Sequence, residues 1–137
     1  IMKKEKINLF SELKIKGITL KNRVVLPPMV RFSLIGKDGF VAQELIKWYE
    51  EVAKGGVGMI ILEACCVAKD GKLRENQIGI WDDSFIEGLS KIADVCRKHT
   101  VPILIQIHHA GFKEKISDVP EEKLDEILKE FISAFKR

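Results

Sequence analysis

Long apolar runs, paired cysteine motifs and a strong excess of one charge are all missing from this sequence, and each absence excludes a class of protein. No uninterrupted run of about 18 apolar residues occurs, so a membrane-spanning helix is not expected. The 23 Lys and Arg against 20 Asp and Glu leave a net charge of +3. That balance is too small to indicate a nucleic-acid partner.

Cysteine is sparse, and its spacing fits neither zinc binding nor a disulfide framework. The three cysteines are Cys65, Cys66 and Cys96, and no CxxC pair is present. Cys65 and Cys66 are expected to face opposite sides of a strand rather than to form a vicinal disulfide. With no recognisable signal peptide, a reduced cytoplasmic location is expected.

The common nucleotide and hydrolase motifs are also missing. No P-loop and no Rossmann glycine fingerprint occurs. The glycines of residues 55–58 precede an apolar run instead of opening a helix, which is the wrong context for phosphate binding. No Ser-His-Asp arrangement follows from the spacing.

What is present is typical of one soluble globular domain over residues 1–137, with 46% apolar and 31% charged residues. A Lys-Gly turn between alternating apolar residues predicts a hairpin over 13–20. Continuous apolar runs then predict strands over 23–26, 57–62 and 101–107, each followed by a helix. Buried strands that alternate with helices indicate an α/β fold with a parallel sheet and right-handed crossovers.

The predicted helices carry terminal signals. Ser84 and Glu87 match a capping box, and Asp118 and Glu121 can cap the last helix. Glycines 55 and 56 are expected to end the first helix. The last helix has a wide apolar stripe, and three parallel strands leave two open edges. We therefore expect that the chain is either part of a larger fold or forms a homo-oligomer that covers the open edge.

The carboxyl ends of the three strands are where α/β proteins bind ligands. The first end is Pro27-Pro28-Met29-Val30, which either only stops the strand or forms a rigid apolar ledge for a flat aromatic ligand. At the second end, Glu63 is either paired with a Lys or Arg of a neighbouring strand or acts as a catalytic acid.

The third strand end carries an amide and two imidazoles. Alternation places Gln106 and His108 on one face and His109 on the other. An amide and an imidazole suit polar recognition of a heterocycle. A metal site is not predicted, because adjacent histidines seldom bind one ion and no third ligand is evident.

Four segments resemble motifs of the Old Yellow Enzyme family of NADH:flavin oxidoreductases. LKNRVVLPPM (20–29) is similar to the family's LKNRIVMAPM, and GGVGMIILEA (55–64) to its GGVGLIITEA. GIWDD (79–83) matches its GIWDD loop, and QIHHAG (106–111) resembles its QLxHAG strand end. The order and spacing of all four agree with the family, and together they cover nearly the whole chain.

The resemblance implies a (β/α)₈ TIM barrel that holds FMN at the carboxyl ends of its strands. It places a backbone ledge along the flavin, a small residue against the ring and a side-chain amide at the pyrimidine edge. The residues at these positions are Pro27, Pro28, Met29, Val30, Ala64 and Gln106.

Some positions depart from the family pattern. Val30 stands where threonine, alanine or cysteine is common, and Phe32 where some members carry a substrate-facing tyrosine. Phe112 replaces the arginine that usually follows the HAG triplet. Phe32 and His109 are the candidates for facing the substrate, and no catalytic residue is assigned.

The implied function is that of an FMN-dependent flavoprotein, in which NADH or NADPH reduces the flavin and the flavin passes hydride to a small-molecule substrate. A TIM barrel needs about 250 residues, so 137 residues correspond to an N-terminal hairpin and three of eight strand-helix units. The alternative is a catalytically silent, truncated α/β domain that has lost FMN and persists as a homo-oligomer.

Overall fold

A computed structural model describes residues 7–111 and 118–137, and its elements follow the predicted order. The position of Phe112 lies outside the described residues. The strands are β1 (Leu13–Ile15), β2 (Ile18–Leu20), β3 (Val25–Leu26), β4 (Met59–Cys66) and β5 (Ile103–His108). The helices are α1 (Gln43–Lys54), α2 (Ile86–Lys98) and α3 (Glu121–Lys136).

The predicted hairpin is formed by β1 and β2. The two strands pair antiparallel, with Leu13 opposite Leu20. Lys16 and Gly17 make the turn with φ of 42° and 88°. Positive φ at both central residues matches the right-handed twist of the flanking strands, which explains why the Lys-Gly pair turns the chain here.

The other three strands form one parallel sheet in the order β3-β4-β5. Val25 pairs with Met59, and Ile60 pairs with Ile103. Because all three strands run in one direction, their carboxyl ends share one edge of the sheet. The prediction of a parallel α/β fold is confirmed, and the arrangement is a partial (β/α)₈ barrel: within the described residues the sheet stays open.

Strand β4 forms the centre of the core and contains a β-bulge. Leu62 pairs with Ile105 and Cys65 with Ile107, so β4 has one residue more than β5 in this interval. The bulge changes which positions face the helices. In β4 and the residue that follows it, the members of the core cluster are even-numbered before the bulge and odd-numbered at and after it: Ile60, Leu62, Cys65 and Val67.

The thiols of Cys65 and Cys66 are free, as predicted. Cys65 belongs to the core cluster that packs α1 and α2 on the sheet, whereas Cys66 lies outside it. Burial raises the pKa of both thiols, which keeps them protonated and unreactive.

The expectation that the strand over 101–107 is buried is wrong. β5 is the edge strand, and Leu104 remains 48% exposed. On the other face of β5, helix α3 covers the strand only in part: Ile105 remains 44% exposed, and Ala134 is the only buried residue of that helix. Its apolar stripe faces solvent instead, through Leu124, Leu128, Ile132 and Phe135.

Two of the three predicted helix ends also need correction. The Ser84–Glu87 capping box is not formed: Asp82 accepts a hydrogen bond from Ser84 N at 2.9 Å, and a 3₁₀ turn precedes α2. The N-cap residue of α3 is Pro120 rather than Asp118, and Pro120 makes no side-chain cap. The glycine ending of α1 is confirmed, since Gly55 caps it and Gly56 has a φ of 87°.

Among the helices of the described ranges, none combines the length and hydropathy that crossing a bilayer requires.

Candidate functional site

The predicted ledge lies at the carboxyl edge of the sheet. Pro27 and Met29 are exposed there, and Pro28 and Val30 are half-buried. The backbone N–H of Arg31, the next residue, donates a 2.7 Å hydrogen bond to Oε2 of Glu63. This bond fastens the ledge to the end of β4.

Glu63 is completely buried and belongs to a three-residue network. Its Oε1 accepts a 3.4 Å hydrogen bond from the Tyr49 hydroxyl, whose oxygen accepts one from Glu63 N at 3.2 Å. Burial raises the pKa of the Glu63 carboxyl, and the amide of Arg31 opposes that rise. Glu63 therefore bonds a backbone amide and a phenol, not the side chain of a Lys or Arg on a neighbouring strand. With no exposed surface, it supports the ledge rather than acting as a catalytic acid.

The side chain of Arg31 packs on Trp48, and its charge also favours the ionised Glu63 carboxylate. Its guanidinium carbon lies 3.6 Å from the centre of the Trp48 ring, a cation–π contact. Trp48 in turn packs edge-on against Tyr49, with ring centres 4.8 Å apart. Helix α1 therefore holds the end of the ledge through two adjacent aromatic residues.

Gln77 is a site residue that the sequence analysis missed. It lies in the polar loop after β4, yet its side chain is 0% exposed. Its Nε2 donates to the Ala64 carbonyl oxygen at 2.9 Å and lies 3.1 Å from Nδ1 of His108. Its Oε1 accepts from Leu73 N at 2.6 Å. Nothing in its local sequence distinguishes this glutamine from the exposed polar residues around it.

The same loop forms a wall beside the ledge. Asn76 donates a side-chain hydrogen bond to the Phe32 carbonyl oxygen. The guanidinium of Arg74 lies 5.0 Å from the centre of the Phe32 ring. The backbone of Cys66 exchanges hydrogen bonds with Ile78 and Ile80 at 2.7 and 2.8 Å. The half-buried Phe32 ring is therefore partly covered by this wall.

Gln106 is exposed on the open face of β5. Ile103 and Ile107 pack against the core, so alternation places Gln106 on the opposite face with Leu104 and His108. Within residues 7–111 and 118–137, the structure gives the Gln106 amide no hydrogen-bond partner.

His109 lies just beyond the end of β5 and is half-buried. A side chain at Gly71 would overlap its ring, and Gly111 N donates to its Nδ1 at 3.0 Å. Burial lowers the pKa of His109, and the charge of Asp70 offsets part of that lowering. His109 thus packs against the loop after β4.

The structure brings the predicted cofactor residues to one edge. Ala64 lies within the β4 bulge, between Leu62 and Cys65, whose partners on β5 flank Gln106. A cavity of about 1020 Å³ lies beside this edge, between residues 69–75 and residues 110–111 and 118–120. None of the six predicted cofactor residues lines that cavity. Gln106 lies on the open face of β5, Pro27 and Met29 are exposed after β3, and Ala64 is buried, with 7% of its surface exposed.

Comparison with known proteins agrees with this geometry. The sequence profile of the NADH:flavin oxidoreductase / NADH oxidase family matches residues 8–132. An NADPH dehydrogenase of Listeria monocytogenes serotype 4b (strain CLIP80459) is 38% identical over 145 residues, which cover 94% of this chain and 43% of that protein. The chain therefore spans less than half the length of this relative.

Solved structures are similar over most of the chain. The old yellow enzyme from Trypanosoma cruzi matches 82% of this chain and 30% of its own, with a TM-score of 0.67 and 34% identity. The Old Yellow Enzyme from Pichia sp. AKU4542 matches 93% of this chain and 42% of its own, with a TM-score of 0.79 and 24% identity, and supports the fold alone. The family profile, the curated relative and the fold agree, and the chain belongs to the NADH:flavin oxidoreductase / NADH oxidase family.

Proposed function

We propose that this chain provides the first part of an FMN-dependent oxidoreductase that uses NADH or NADPH to reduce a small-molecule substrate. The observation that carries the proposal is the shared edge of three parallel strands, where the ledge of residues 27–30, Ala64 and Gln106 come together. The name of the Listeria relative supports NADPH as the reductant.

The residues at this edge fit an isoalloxazine ring. The pyrimidine side of that ring alternates carbonyl oxygens with ring nitrogens, and the exposed amide of Gln106 can both donate and accept hydrogen bonds. The small side chain of Ala64 lets a flat ring approach the strand. Pro27 and Pro28 fix the backbone beside it, because a proline ring restricts φ.

When bound, FMN would supply the hydride chemistry, and the protein would supply orientation and electrostatics. Glu63 would fix the ledge through the amide of Arg31, and Gln77 would fix the carbonyl of Ala64. Gln106 would orient the pyrimidine edge and stabilise negative charge there.

Gln106→Leu is expected to weaken FMN binding. Losing one hydrogen bond of about 1 kcal/mol corresponds to roughly a fivefold rise in Kd. Quenching of flavin fluorescence on titration of the chain measures the Kd. Gln43→Leu is the matched control, because Gln43 is an exposed glutamine at the start of α1. Equal FMN affinity in the Gln106 variant and the wild type would contradict the assigned role.

A second candidate function is a catalytically silent domain packed in a homo-oligomer. The exposed apolar stripe of α3 favours it, with Phe135 78% exposed. Size-exclusion chromatography with visible absorbance separates the two proposals. A stable oligomer that elutes without flavin after incubation with FMN supports the silent domain, whereas co-elution of flavin with the chain supports the oxidoreductase.

A further inference from the structure

The buried amide of Gln77 determines which nitrogen of His108 carries a proton. The Oε1 atom of Gln77 must be the acceptor, because it receives the backbone N–H of Leu73 at 2.6 Å. Its Nε2 must be the donor, because it faces the Ala64 carbonyl oxygen at 2.9 Å. These two bonds exclude the flipped amide, in which donor would face donor and acceptor would face acceptor.

Within residues 7–111 and 118–137, the acceptor that remains for the second hydrogen of Nε2 is Nδ1 of His108, 3.1 Å away. Nδ1 must then be unprotonated, and the ring proton must lie on Nε2. Protonating Nδ1 would bring two donors together and break the contact. Burial and the neighbouring His109 both lower the pKa of His108, which agrees with a neutral ring.

His108 stands beside Gln106, so its tautomer determines which hydrogen-bonding group the protein presents there. Its backbone pairs with Cys66 of β4, and the N–H of Val67, directly after β4, donates to the His108 carbonyl oxygen at 3.0 Å. His108 follows Gln106 on the same face of β5, about 7 Å further along the strand. The two side chains therefore stand in line at the edge where the flavin is proposed to lie.

We propose that Gln77 is a positioning residue that holds His108 as a neutral Nε2–H donor, and that this donor binds an oxygen or nitrogen acceptor beside Gln106. The donor role rests on the proposed function, whereas the tautomer does not. A neutral donor can hydrogen-bond an electron-rich atom of FMN without adding a fixed positive charge to the site.

Nitrogen-15 NMR of the imidazoles tests the tautomer directly. The chain has three histidines, so His108→Asn identifies the signals of His108 and leaves His99 as a reference. We expect an unprotonated Nδ1, a protonated Nε2 and a scalar coupling between His108 Nδ1 and the side-chain nitrogen of Gln77. A proton on Nδ1 of His108 would overturn the proposal. So would the absence of this coupling in a spectrum that resolves both the His108 Nδ1 signal and the Gln77 side-chain nitrogen signal.

Variants test the role of Gln77. In Gln77→Leu the coupling partner is lost, and the pKa of His108 is expected to rise, because the hydrogen bond that favours the neutral ring is removed. The pKa of His99 should not change. If this variant fails to fold, the coupling in the wild-type chain decides the question alone.

Titration with FMN tests the donor role. We expect the Nε2–H signal of His108 to shift on addition of FMN while that of His99 stays in place. If FMN binds and the His108 signal does not move, the donor role is wrong. If FMN does not bind at all, the proposed function and the donor role both fail, whereas the tautomer is still decided by the coupling.

Discussion

Replacing Glu63 with leucine is expected to lower the free energy of unfolding by about 2–4 kcal/mol. The change leaves the Arg31 amide and the Tyr49 hydroxyl without their acceptor in a fully buried place. Each unsatisfied buried group costs about 1–3 kcal/mol, and leucine recovers part of the loss by packing. Urea unfolding followed by tryptophan fluorescence measures the change, because Trp48 packs against the same network.

Glu63→Gln is the matched control, since its side-chain oxygen can still accept the amide of Arg31. We expect it to lose about 1 kcal/mol or less. Tyr49→Phe completes a double-mutant cycle with Glu63→Leu, and the two losses should not add. An unchanged urea midpoint in Glu63→Leu would show that the network does not hold the ledge.

The stability of the protein is expected to depend on pH through Glu63, and the same variants test this. The pKa of Glu63 is raised in the folded state from its ordinary value of 4.5. The folded protein then binds more protons than the unfolded chain, so this group's contribution falls as the pH rises from 4.5 through the raised folded value. Glu63→Gln removes that slope. Equal slopes of stability against pH in the wild type and in Glu63→Gln would contradict the raised pKa.

Gly58→Ala is expected to cost about 1–3 kcal/mol through overpacking. A Cβ atom at this position would overlap the backbone oxygen of Asn22 and lie 2.7 Å from its Oδ1. Asn22 cannot easily move away, because its Nδ2 donates to Gly56 O at 2.7 Å and its Oδ1 accepts from Val24 N at 3.0 Å. Thermal unfolding measures the cost.

The clash that Gly58→Ala introduces should also affect the proposed FMN site. Asn22 leads into β3, which continues into the ledge of residues 27–30, so displacing β3 from β4 should weaken FMN binding as well as stability. Gly56→Ala is the control: its φ of 87° makes alanine unfavourable by about 1 kcal/mol, but nothing lies near the added atom. FMN affinity lowered equally in both variants would argue against a displaced ledge.

The parallel sheet and its carboxyl edge could be predicted from the sequence because continuous apolar runs and strand-ending prolines are local signals. The apolar runs around Ile60 and Leu104 predicted β4 and β5, and Pro27 predicted where β3 ends. The placement of Ala64 and Gln106 at this edge followed from parallel pairing alone.

What could not be predicted depends on contacts between distant segments. Gln77 resembles any loop glutamine until the loop folds back onto Ala64 and His108. The exposure of Leu104 depends on what covers the open face of the sheet, because Leu104 faces away from the core cluster. Before α2, both Asp82 and Ser84 are good caps, and Asp82 caps the 3₁₀ turn from which α2 continues without a side-chain cap of its own.

The extra residue in β4 has a consequence for protein engineering. Because the bulge shifts the alternation of inner and outer residues by one position, a regular strand with the same number of residues between Leu62 and Cys65 would turn Cys65 and Val67 out of the core. A homologous strand that lacks the bulge can therefore be grafted into this chain only if it has one residue fewer in this interval. A chimera that kept the residue count but lost the bulge would exchange the inner and outer surfaces of the strand after this point.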